Sequence, residues 1–290
     1  MEIKKAIIPI AGLGTRFLPL SKALSKEFFP LVDKPVVQYI IEEVKNSGID
    51  EVVFVVSPGQ KAILDYFKKS PDIEKILIKR KKENLLKELK EFQEKFEKIS
   101  FSFVTQKEPL GDGHALLQAA KEVKNNPVAV SFGDDIVDSD TPALLQLMNI
   151  YKTCLTPVVA LKELPPEKVP AYGAVAVEKI ANNLYKIKKI IEKPEPSQIP
   201  SNMVIVGKYI LTPDVFGYLK KATPSKKGEI ILAEVLDKML GDGKIIYGYE
   251  LKGNWLECGD KLKWLKSFFY FALKDPRYAE ELKKYIKTIK

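Results

Sequence analysis

Lys5-Ala-Ile-Ile-Pro-Ile-Ala-Gly-Leu-Gly-Thr-Arg16 passes from a short apolar run directly into a turn containing two glycines. The rest of the fold can be worked outward from that junction. An apolar run of this length, closed by Gly, suits a strand buried on both faces. Glu51 to Val56, rich in β-branched residues and ending in Ser57-Pro58-Gly59, is a second such run. Between them, Pro35 to Val44 carries apolar residues at helical spacing, begins with Pro in its first turn and stops at Gly48, the punctuation of a helix. Strand, helix and strand make a βαβ unit. Phe101 to Thr105, Pro127 to Phe132 and Val158 to Leu161 extend the series, separated by helical stretches around His114 to Val123 and Pro142 to Tyr151. The alternation predicts an α/β fold with a Rossmann-like, mostly parallel mixed sheet flanked by helices.

Leu85, Leu89, Phe92, Phe96 and Ile99 recur at intervals of four and three with Lys and Glu between them, so 83–99 is expected as an amphipathic helix packed on the domain. Beyond about Lys162 the pattern changes to Tyr172 to Val177, Tyr185 to Ile187 and Met203 to Leu211, short strands joined by turns rich in Pro and Asn. That half should be more antiparallel. Residues 261–273 and 279–289 read as a terminal helical pair carrying Trp264, Phe268, Phe269, Tyr270, Phe271, Tyr278 and Tyr285. Such a pair packs on its own body or on another subunit, which favours a homodimer or homotetramer.

The chain has 290 residues, 46% of them hydrophobic and 29% charged; it can bury a real core, and disorder is excluded. Its longest stretch free of Asp, Glu, Lys and Arg is 12 residues, Pro196 to Gly207, well short of the roughly 18 to 20 that a membrane crossing requires. No membrane partner is expected, and the N-terminus lacks a small-residue cleavage pattern, so the expected location is cytoplasmic. Cys154 and Cys258 lie far apart and His114 is the only histidine, so neither a disulfide framework nor a zinc site is expected. The net charge is +9, but residues 261–290 hold nine basic and three acidic residues. The excess is thus a feature of the terminal segment, read as a solvated tail, and no nucleic-acid partner is expected.

Gly12-Leu13-Gly14-Thr15-Arg16 follows the first strand directly, where an open parallel sheet binds ligands at its carboxyl edge. Glycines let backbone N–H groups approach an anion, and a guanidinium matches phosphate oxygens. With Lys26 as a second cation, the loop suits a polyphosphate. It is not the dinucleotide fingerprint, because Phe17 stands where the third glycine would fall, and no G-x-x-x-x-G-K-[ST] occurs in the chain.

Ala11-Gly12-Leu13-Gly14-Thr15-Arg16, Lys26-Glu27 and Pro30-Leu31-Val32-Asp33-Lys34-Pro35 resemble the signature of nucleoside-diphosphate-sugar pyrophosphorylases, most closely the bacterial-type UTP:glucose-1-phosphate uridylyltransferases. The resemblance runs through nearly the whole chain. It includes Gln106, Gly111-Asp112-Gly113-His114-Ala115, Asp134, Ala171-Tyr172-Gly173, Glu192-Lys193-Pro194, Val206-Gly207 and Cys258-Gly259. It implies one nucleotidyltransferase domain over 1–265, with a nucleotide half at about 1–160 and a sugar-phosphate half at about 161–260, followed by the helical segment 261–290.

The resemblance also implies roles. Arg16, Lys26 and Lys193 would be catalytic, the first two on the triphosphate and the third on the sugar phosphate. Ala11, Gly12, Gly14, Thr15, Glu27, Gln106, Gly111 and Asp135 would bind the nucleotide; Gly173, Glu192, Val206 and Gly207 would bind the sugar. Mg2+ would be held by Asp134 and by Glu257, which stands where such enzymes usually present Asp before Cys-Gly. UTP and glucose 1-phosphate are the substrates implied. The chemistry suits a chain with one histidine: the phosphate nucleophile is already anionic near neutral pH, its second pKa being about 6, so cations are needed rather than a general base. Uracil and thymine differ by one methyl, worth about 1 to 3 kcal/mol in a pocket, which leaves a thymidylyltransferase as the near alternative. A silent sugar-nucleotide-binding regulatory module is a further alternative, but it predicts loss of Arg16, Lys26, Asp134 or Lys193, and all four are present.

Overall fold

The computed structural model describes residues 2–60 and 62–289. Nine strands form one sheet in the order Ser100–Thr105, Glu51–Val56, Lys5–Pro9, Val128–Ser131, Met203–Leu211, Val158–Glu163, Tyr247–Glu250, Leu184–Glu192, Gly173–Ala181. The first four are mutually parallel. Met203–Leu211 then inserts antiparallel between Val128–Ser131 and Val158–Glu163, and Leu184–Glu192 pairs antiparallel with both of its neighbours. The change of character after about residue 162 is therefore real, yet strands from both halves share a single hydrogen-bonded sheet. A separate two-stranded ribbon joins Asp135–Asp138 to Asn254–Glu257.

The central strands are apolar on both faces because both faces are covered. Ile8, Val52 and Phe54 point into one core with the helices Val36–Asn46 and Ala143–Cys154, while Ile7, Val53 and Val55 point into the other with Asp112–Gln118 and Leu232–Gly241. The amphipathic helix is shorter than its stripe: it runs Glu83–Phe96. Phe92 and Phe96 close on Phe67, the latter at 5.1 Å between ring centroids, whereas Leu85 stays half exposed. The terminal helices are Lys261–Lys274 and Ala279–Ile286. Trp264 meets Phe29 edge-on at 6.1 Å and Phe271 lies 4.5 Å from Tyr39, so the first of them packs on its own body. Among the described residues, no helix is long and apolar enough to cross a membrane.

Lys208 and Glu43 form an ion pair buried in the core. Lys208 Nζ sits 3.0 Å from Glu43 Oε2 and donates to Ser131 Oγ at 2.9 Å, while Leu144 N donates to Glu43 Oε1 at 3.2 Å. The pair ties the helix Val36–Asn46 to the inserted strand one residue beyond Gly207. Removing one partner strands a charge in the core, so Lys208→Met should cost about 3 to 5 kcal/mol, and adding Glu43→Met should restore much of it. Urea unfolding of the two variants checks both steps.

Candidate active site

The first strand ends at Pro9, and the chain turns through Gly14, which adopts φ 61° with no room to spare: a Cβ there would lie 3.2 Å from Ser21 Cβ. This left-handed position suits glycine. A single turn, Thr15–Phe17, follows, and Phe17 is pinned edge-on against Phe29 at 4.8 Å. The loop therefore lines the cleft from a fixed frame.

The cleft has two connected parts. A cavity of about 460 Å³ is lined on one side by Ala11, Gly12, Gly14 and Thr15 and on the other by Lys26, Glu27, Gln106 and Gly111. A hollow of about 230 Å³ takes Arg16, Gly173, Glu192, Lys193, Gly207 and Glu257. Asp112, Phe132 and Asp134 line both. The residues that the sequence pointed to on the nucleotide side thus converge, apart from Asp135. It faces the second hollow, accepts from Trp255 Nε1 at 2.7 Å and is packed against Gly207. Asp135 starts the short ribbon and lines the second hollow, not the first. Val206 turns its side chain into the core, where it is fully buried, and Gly207 of that pair lines the cleft.

Charge is densest at Asp134. Its Oδ2 is bound by Lys26 Nζ, and Arg16 stands close by, held through Nη1 donating to the Gly259 carbonyl at 3.2 Å. Burial pushes the Asp134 pKa up, but the Lys26 ammonium and then the Arg16 guanidinium overcome it and hold the carboxyl below its ordinary range. Burial works against the charge on Lys26 too, and the carboxylates of Asp134 and Glu27 overturn it, raising the ammonium. Around this pair, burial drives the other way. It lifts Glu27 to about 7, Asp112 to about 6 and, with the neighbouring charges of Asp134 and Glu257, Asp135 to about 7. Carboxyls that give up charge so readily reduce the negative potential facing an incoming anion.

Gln106 is 5% exposed; its Nε2 donates to the Gly111 carbonyl at 3.0 Å and lies 2.9 Å from His114 Nδ1. Held this way, the amide lines the first cavity and brings both donor and acceptor groups to it. Lys193 has φ 46°, strained for a residue with a side chain, and its N donates to the Tyr172 carbonyl at 3.0 Å. Its Nζ lies 3.3 Å from Glu192 Oε1. Such strain gathers at functional positions. Glu257 is not open: Tyr172 donates to its Oε2 at 2.6 Å and Lys263 Nζ to its Oε1 at 2.8 Å. Lys263, Trp255 and Tyr209 also line the cleft and were not singled out from the sequence. No local pattern marks them; Lys263 has the ordinary look of a basic residue in a basic helix.

Glu27, Asp112 and Asp135 bind protons more tightly folded than unfolded, so stability is lost as pH rises from their ordinary values toward their raised ones. For Glu27 that window runs from 4.5 to about 7; depressed Asp134 acts only below its ordinary 3.8. The unfolding free energy of the ligand-free protein should fall between pH 5 and 7, and Glu27→Gln should remove roughly 2 to 3 kcal/mol of that fall. Denaturant titrations at the two pH values decide it, and an unchanged slope in the variant would count against the assignment.

The pattern of the nucleotidyl transferase family matches residues 5–269. A UTP–glucose-1-phosphate uridylyltransferase of Staphylococcus haemolyticus is 40% identical over 288 residues, covering 99% of each chain. Among solved structures, the UTP-bound UGPase from Acinetobacter baumannii superposes with a TM-score of 0.90 at 32% identity over the full length of both chains. A UDP-glucose pyrophosphorylase complexed with UDP-glucose superposes at 0.84 with 34% identity, covering 94% of this chain and 100% of that one. Agreement of this extent, over the same residues that build the cleft, makes the chain a member of the nucleotidyl transferase family.

Proposed function

We propose that the chain transfers a uridylyl group from UTP to α-D-glucose 1-phosphate, giving UDP-glucose and pyrophosphate. The observation that carries the reading is the convergence of Arg16, Lys26 and Lys193 on one continuous cleft whose two parts meet at Asp134. A reaction between two anions needs that arrangement more than it needs acids and bases. The relatives named above, one a uridylyltransferase and one solved with UTP, support the same reading.

In this mechanism UTP lies across the Gly12–Thr15 loop with its phosphates toward Lys26 and Arg16. Gln106 Oε1 accepts from the pyrimidine N3–H. Lys193 holds the sugar phosphate, whose oxygen attacks the α-phosphorus in line while the bond to the β-phosphate breaks and pyrophosphate departs. Glu192 accepts from sugar hydroxyls, and the bare Gly173 leaves space for its carboxylate, which would lie 3.1 Å from a Cβ there. Among the described residues, no group of three or more acidic, His or Cys side chains could hold a metal by itself. That fits Mg2+, which prefers one or two carboxylates with phosphate oxygens and water. Asp134 would hold it together with phosphate oxygens and water. When bound, the ion neutralises phosphate charge.

We read residues 1–265 as one nucleotidyltransferase domain. The exposed Leu262, Leu265, Phe269 and Tyr285 of the terminal helices are the surface on which a homodimer or homotetramer would form.

Pyrophosphate release should be fastest with UTP and glucose 1-phosphate when UTP, dTTP, CTP and ATP are compared against several sugar 1-phosphates, and it should require Mg2+. Arg16→Ala and Lys193→Ala should each lower kcat by about two to three orders of magnitude with the melting temperature held. Equal rates with dTTP would move the assignment to a thymidylyltransferase.

A further inference from the structure

Both oxygens of Glu257 are engaged, one of them by a cation. Lys263 Nζ donates to Glu257 Oε1 and to the Tyr172 hydroxyl oxygen, each at 2.8 Å, while the Tyr172 hydroxyl passes its own proton toward Glu257 Oε2 at 2.6 Å. An ammonium has three N–H donors; two are used, and one remains. The side chain is 30% exposed and lines the hollow that also holds Arg16, Glu192 and Lys193.

The placement is preorganised from the backbone up. Lys263 stands in the first turn of Lys261–Lys274, where Asp260 caps the helix by accepting from Lys263 N at 2.9 Å. Its ring-flanked stem lies beside Tyr172, with Nζ 4.6 Å from the ring centroid. Trp255, 5.2 Å from Tyr172, closes the far side and ties the cluster to Asp135. A long, rotamer-rich side chain held this way loses little further freedom on meeting an anion. Metal ligation by Glu257 would instead require it to release that ammonium and set a divalent cation beside it. Asp134, by contrast, gives Lys26 one oxygen, Oδ2.

We propose that Lys263 is a second cation for the sugar phosphate, aimed by Glu257 and Tyr172, and that Glu257 is a positioning residue for it and not a metal ligand. The inference rests on the uridylyltransferase reading and narrows it. The sugar phosphate is gripped from two directions, by Lys193 at the end of the strand Leu184–Glu192 and by Lys263 from the terminal helix, and the metal relies on Asp134 with phosphate oxygens.

The test compares wild type with Lys263→Met, Lys263→Arg and Glu257→Gln. Steady-state assays give KM for glucose 1-phosphate and for UTP, and Mn2+ affinity is read by electron paramagnetic resonance with UDP-glucose bound, where no turnover occurs. Lys263→Met should raise KM for glucose 1-phosphate at least tenfold while KM for UTP and the Mn2+ Kd stay within twofold, and Lys263→Arg should recover most of the loss. Glu257→Gln should follow Lys263→Met in the sugar-phosphate KM with Mn2+ affinity unchanged. A tenfold weaker Mn2+ Kd in Glu257→Gln overturns the proposal, as does an unchanged glucose 1-phosphate KM in Lys263→Met. A wild type inactive with every sugar 1-phosphate overturns the parent reading along with it, whereas an active wild type beside an unaffected Lys263→Met overturns this inference alone.

Discussion

The contact between Lys26 and Asp134 is the constraint on which the site turns. The two residues are 108 positions apart, one in the loop after the first strand and the other after Val128–Ser131. They meet because those strands are parallel neighbours in the sheet and both open toward the same edge. A charge pair in a partly buried place costs desolvation unless its partners are well placed. Here the surrounding groups meet that cost: Arg16 faces Asp134 from the Gly259 side, and Glu27 lies 4.0 Å from Lys26. The arrangement leaves cations at the centre and protonatable carboxyls around it.

That distribution suits a reaction that needs no acid–base pair. His114 is engaged with Gln106 and Gln118 at 2.9 and 3.0 Å and serves the orientation of an amide. Under the proposed reading, fixed cations and backbone donors carry the work that another enzyme assigns to a proton-transfer pair, because they need no reorganisation as charge moves between phosphates. The buried Glu43–Lys208 pair supports the same edge from behind, since it fixes the strand that carries Gly207.

The parallel core was legible because its signals are local. Apolar runs closed by Gly or Pro, as at Ile10 and Val56, state both a strand and its end, and Pro35 with Gly48 brackets a helix. The stripe from Leu85 to Ile99 announced a helix but not how much of it would be covered: only the end near Phe92 and Phe96 meets an aromatic cluster. Site residues were legible where a motif marks them, as at Gly12–Arg16, Lys26 and Lys193. Lys263 carries no such mark. Its meaning comes from Tyr172, 91 residues away in sequence, and from Glu257 just before the helix.

Sequence alone determined the βαβ start, the phosphate-suited loop, the absence of a bilayer-length apolar stretch and the candidate cations, because periodicity, glycine placement and charge are properties of neighbouring residues. Tertiary structure decided which of those residues share a cavity. It turned Asp135 into the second hollow, withdrew Val206 into the core and set an ammonium against Glu257. Strand alternation and long-range pairing settle such matters, and both depend on how distant segments are brought together.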